Sequence, residues 1–123
     1  MANPNLNSPS SCYANSTIVA LTSTTETQIA VNAASSGKVF IFDSVQCANV
    51  SATGADFTLT IYNATTNTGT AGRIAYAVTV NSKAALLAVT KNLGLALREG
   101  QSLYATGSVA SSLTVTAFWK EFA

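Results

Sequence analysis

The run from Leu93 to Phe122, LGLALREGQSLYATGSVASSLTVTAFWKEF, decides how the rest of the chain is read. It predicts three strands. Leu93, Leu95 and Leu97 alternate with small residues, and Arg98, Glu99 and Gly100 form a turn. Leu103 to Gly107 then begins a second run that stops at a Gly and Ser cluster. Leu113 to Phe122 is the third. Gly100 follows two residues that accept helical angles, so it suits the left-handed position of a three-residue hairpin loop with a bulge. In the last run Leu113, Val115, Ala117 and Trp119 share one face and are core by pattern. Phe118 and Phe122 fall on the other face, among Thr and Lys. Two aromatics there are either covered by a loop or open to a partner.

Upstream, Thr17 to Thr22 and Thr27 to Val31 read as strands, and Lys38 to Val50 is the longest uninterrupted strand signal. Val39, Ile41, Val45 and Cys47 fall on one side of that run, with Phe40 and Phe42 on the other. Both faces are therefore apolar at its start, as expected of a central strand or of one covered by another chain. Asp43 breaks the apolar register, either at a bulge that turns it outward or as a functional carboxylate. Asp56 to Asn63 gives the cleanest alternation, with Phe57, Leu59 and Ile61 inward and Thr58, Thr60 and Tyr62 outward. Ala64 to Gly72 reads as an exposed, mobile loop. Ile74 to Val80 and Lys83 to Thr90 add two more strand segments.

Eight or nine such segments, with turn signals every eight to twelve residues and no sustained helical period, predict an all-β fold. The expectation is a single antiparallel β-sandwich, jelly-roll-like, of about eight strands. Residues 1–16, rich in Asn, Ser and Pro, are expected as an extended N-terminal arm, and residues 17–123 as the sandwich domain. Leu6 and Tyr13 are the arm's sizeable apolar side chains beyond Met1.

The 123 residues suit one domain. Only 9% are charged, against a usual share of about 25%. With a net charge of +1, such a surface favours packing against copies of itself or a partner. Six basic residues spread without a run leave no footprint for nucleic acid. No window approaches the roughly 18 apolar residues of a membrane span. The N-terminus lacks the basic start and apolar centre of a secretory signal, so the expected setting is the cytoplasm, unless a signal has been removed. Cys12 and Cys47 are either two free thiols or, in a secreted setting, a disulfide.

Histidine is absent, which removes the most frequent general base and transition-metal ligand. The five carboxylates, Glu26, Asp43, Asp56, Glu99 and Glu121, cannot be paired from spacing as a glycosidase requires. There is no calcium-loop cluster, and Gly37-Lys38 lacks the rest of a phosphate loop. Three Asn-x-Ser/Thr sequons are expected by chance in so Asn- and Thr-rich a chain. The inventory points to a protein that is not an enzyme and has no cofactor or metal.

The segments KVFIFDSVQCANVSATGADFTLTIYN, LALREGQSLYATGS and LTVTAFWKEF resemble the small β-sandwich virion proteins of tailed bacteriophages. In that group an L-x-L strand, an acidic-Gly turn and an apolar strand precede a last strand ending in an aromatic and Glu. Leu95, Leu97, Glu99, Gly100, Leu103, Trp119 and Glu121 take those places. The resemblance implies a virion structural protein assembled in the host cytoplasm, most simply a capsid decoration or cement protein. Its partners would be itself, as a homo-oligomer such as a trimer, and the major capsid or another virion protein. Candidate interface residues are Leu6 and Tyr13 on the arm, with Phe40, Phe42, Phe118 and Phe122 as apolar contacts.

Two rivals carry different chemistry. A neck, tail or fibre module that binds host glycan or receptor would stack sugars on Tyr62, Tyr76 or Tyr104. A secreted adhesin or pilin-like subunit would join Cys12 to Cys47 by a disulfide.

Overall fold

The computed structural model describes residues 6–123 as two antiparallel sheets packed face to face. The strands are β1 (Cys12–Leu21), β2 (Thr27–Asn32), β3 (Val39–Asn49), β4 (Ala55–Tyr62), β5 (Ala71–Val80), β6 (Ala85–Val89), β7 (Ala96–Leu97), β8 (Gln101–Gly107) and β9 (Leu113–Phe122). The first sheet has the order β1-β9-β3-β6, with β7 added alongside β3. The second has the order β2-β8-β4-β5. The chain crosses repeatedly between the layers, which is the jelly-roll arrangement expected from the strand spacing. The first five residues of the expected arm lie outside the described residues. Cys12 to Ser16, which the composition places in that arm, already belong to β1 and pair with β9.

The core forms where the period-2 patterns converge. Phe57 and Leu59 of β4, Val115 and Ala117 of β9, and Leu21, Leu103 and Leu113 all belong to one buried cluster. Trp119 lies 5.3 Å from Phe42 and 5.9 Å from Phe40, ring centre to ring centre.

β3 departs from the face assignment made from sequence. Phe42 pairs with Trp119 and Ser44 with Phe118, so the ladder slips at Asp43. That is the bulge that Asp43 suggested. A one-residue slip exchanges the faces. Phe40 and Phe42 before the bulge and Val45 and Cys47 after it therefore all point into the same core.

The Leu93 to Gly107 stretch also differs from expectation. Lys91–Leu93 is a single 3-10 turn, and only Ala96 and Leu97 are strand. Gly100 does take the left-handed conformation, at φ 77°. It does not close a hairpin, because β7 pairs with β3 in one sheet and β8 with β2 and β4 in the other. The turn is a step between layers. It is fastened by the Gly100 amide donating to the carbonyl of Asn32, at 2.8 Å. Buried Asn32 in turn donates from Nδ2 to the carbonyls of Lys38 and Leu97, at 2.8 and 3.0 Å. A carboxamide can satisfy several backbone groups at once, which suits it to such a crossing.

Candidate functional site

No enclosed cavity opens among the described residues, and no group of three metal-ligating side chains forms there. The carboxylates serve local structure. Asp43 faces Lys120 across the bulge at 3.8 Å. Asp56 accepts from the Thr79 hydroxyl at 2.8 Å. Glu121 accepts from Asn15 Nδ2 at 2.6 Å, Trp119 Nε1 at 3.2 Å and Lys38 Nζ at 3.5 Å, tying β1, β9 and the entry to β3 together. Glu99 is buried in the step between layers.

Glu26 organises the outer face of the second sheet. It accepts from the Tyr62 hydroxyl at 2.7 Å and from Asn67 Nδ2 at 3.3 Å. Gln28 Nε2 donates to the carbonyl of Thr65 at 3.1 Å, and the Ser102 hydroxyl to that of Ala64 at 2.7 Å. These bonds fold the 63–70 loop over the sheet. A Cβ at Gly69 would come within 2.6 Å of the Ala64 Cβ, so the loop closes tightly on itself. The loop is exposed, as sequence alone reads it, but it is tethered as a strap, and Tyr62 and Tyr104 are buried beside it, edge to face at 5.4 Å. Neither ring offers a face to a sugar. Tyr76 is exposed, with the Arg73 guanidinium 5.4 Å above its ring.

The Tyr62 hydroxyl is held above its ordinary pKa of 10, first by its bond to the Glu26 carboxylate and then by burial. A raised value means that folding favours the neutral phenol. Its stabilising contribution is complete below the ordinary value and is lost as pH rises through the folded one. In a tyrosinate absorbance titration, Tyr62→Phe is expected to remove a transition lying above the ordinary value. A titration curve that Tyr62→Phe leaves unchanged above the ordinary value would contradict the buried Tyr62–Glu26 contact.

Of the apolar candidates, Phe40 and Phe42 are core, whereas Leu6, Tyr13 and Phe118 are exposed and Phe122 is half-buried. The feature that pattern reading missed is the sheet boundary. The edge strands are β1, β2 and β5, with β6 and β7 in succession along the outer side of β3, and Arg73 on β5 is their only charged residue. None contains proline. Natural sheets usually blunt such edges with Lys, Pro or bulges, because unpaired N–H and C=O groups template pairing with another chain. β5 is bulged, with register shifts against β4 and a positive φ of 49° at Ala77. β1 runs its ten residues against β9 without a shift and so presents a regular outer edge. β1 lies beside β2 on one flank of the sandwich, and β5 beside β6 on the other.

The cysteines cannot join each other. Cys12 pairs with Phe122 and Cys47 with Val115, seven residues apart along β9. At ~3.3 Å per residue that is about 23 Å, whereas a disulfide needs Cα atoms within roughly 7 Å. Cys12 is exposed. Cys47 is fully buried, and burial pushes its thiol pKa up to about 12.

No family model matches the chain, and no curated protein matches it. A solved structure does, from work on Bacillus endospore appendages that form a family of disulfide-linked pili. The match has a TM-score of 0.57 and 14% identity, and covers 100% of this chain and 97% of that one. It overturns the reading as a phage virion protein, both as capsid cement and as a tail or fibre module, together with the virion location. The residues behind that reading have structural places here: Leu95, Leu97 and Glu99 are buried, Gly100 makes the left-handed turn between layers, and Glu121 accepts from Trp119 Nε1. They mark a jelly roll and not a virion.

Proposed function

We propose that this chain is a structural subunit of an extracellular, pilus-like filament, joined to its neighbours by backbone pairing at the sheet edges. The observation that carries the reading is the near-absence of charge on the edge strands, one of which offers ten residues in unbroken register. The full-length likeness to the endospore-appendage structure supports it. The two flanks differ, β1 and β2 on one and β5 and β6 on the other, so a contact of flank against opposite flank is heterologous. Such contacts propagate as an open polymer unless a rotation closes them into a ring. Strand addition supplies main-chain hydrogen bonds, and the neutral side chains impose no repulsion. Nothing in this role calls for catalysis, in keeping with a chain that lacks histidine.

The pili in the similar work are disulfide-linked, and this chain fixes how far such links reach here. Cys12 is the one accessible thiol, because Cys47 is enclosed in the core. Two Cys12 thiols on different copies lose two protons and two electrons to an oxidant such as molecular oxygen and form one bond. One bond per subunit joins pairs and leaves the longer assembly to the edges. A non-reducing denaturing gel of oxidised protein is expected to show bands of one and two chains only. Cys12→Ser should remove the doubled band, and Cys47→Ser should leave it. A ladder of higher bands would show Cys47 to be reachable and would refute the single-thiol account.

The assembly itself is tested by negative-stain imaging and sedimentation of the purified chain with Cys12 reduced. Filaments are expected. A single-chain mass at high protein concentration, with no filaments, would sink the proposal.

A further inference from the structure

We draw no further inference here: the strongest candidate, the exposed apolar side chains of Ile18, Leu87 and Phe118 on the outer face of the first sheet, is an unpartnered surface patch, and nothing in the structure shows what covers it.

Discussion

Phe42→Ala is expected to remove about 3–5 kcal/mol of stability, the range for truncating a fully buried Phe. Phe42 has no exposed surface, and its ring meets Trp119 at 5.3 Å. It lies immediately before the bulge at Asp43, where the ladder of β3 slips against β9. The surrounding backbone is held by β9 on one side, and the Phe42 amide donates to the carbonyl of Leu95 at 2.9 Å on the other. Little collapse into the cavity is therefore open to it. For a domain of total stability about 5–15 kcal/mol the loss is a large fraction, and the melting temperature should fall by roughly 10–20 °C. Calorimetry with an accompanying denaturant titration measures both. A change below about 1 kcal/mol, the centre of the range for point substitutions in general, would mean that Phe42 is not enclosed. The placing of Phe40, Phe42, Val45 and Cys47 on one face would then fail with it.

The second large effect concerns assembly and leaves the fold alone. Asn15→Lys on β1 and Val31→Lys on β2 put charge on one flank of the sandwich. Both positions are exposed, and neither lies on the outer face of the first sheet. The ammonium introduced by Asn15→Lys stays within reach of Glu121, the present partner of Asn15. Exposed substitutions of this kind usually change stability within about 0.5 kcal/mol, whereas inward and edge lysines obstruct strand addition. The double variant alone should form no filaments. Each joint of a heterologous polymer uses one flank of each kind, so a variant with a sound β5 and β6 flank can still add to one end. Mixed at about one part in ten with wild type, it should cap growth and shorten filaments to the order of ten subunits. Filaments of unchanged length in that mixture would exclude the flank-to-flank geometry.

Much of the fold was legible because it is local. Alternation placed Leu113, Val115, Ala117 and Trp119 in the core, and all four are buried. Asp43 announced its bulge because a carboxylate cannot take the place of an apolar residue in a buried register. Gly100 announced a left-handed turn. What was lost is whatever depends on pairing across the chain. The slip at Asp43 carries Phe40 and Phe42 from the side where simple alternation puts them to the other. No local signal says that Leu97 pairs with Phe40 and not with β8. The strap beside Tyr62 and Tyr104 arises from Glu26, Gln28 and Ser102, which come from distant parts of the chain and carry no motif. The edges were hidden for the same reason. Low charge was visible over the whole chain, but its bearing on assembly emerges only once strand order shows which runs lack a neighbour.

The partnership of β1 with β9 sets a timetable for synthesis. The earliest strand of the sandwich has β9 as its sole neighbour in its sheet, and β9 also separates it from β3. At roughly 5–20 residues per second, the ribosome delivers β9 several seconds or more after β1. Until then β1 has no strand to join, and β3 lacks a neighbour along its length. The nascent chain therefore cannot complete its first sheet, nor display the outer edge of β1 as a regular template, before synthesis has passed Phe122. Under the proposed edge pairing, sheet closure and competence to polymerise arrive together, once β9 is free to pair, so chains still lacking that strand would not seed filaments where they are made.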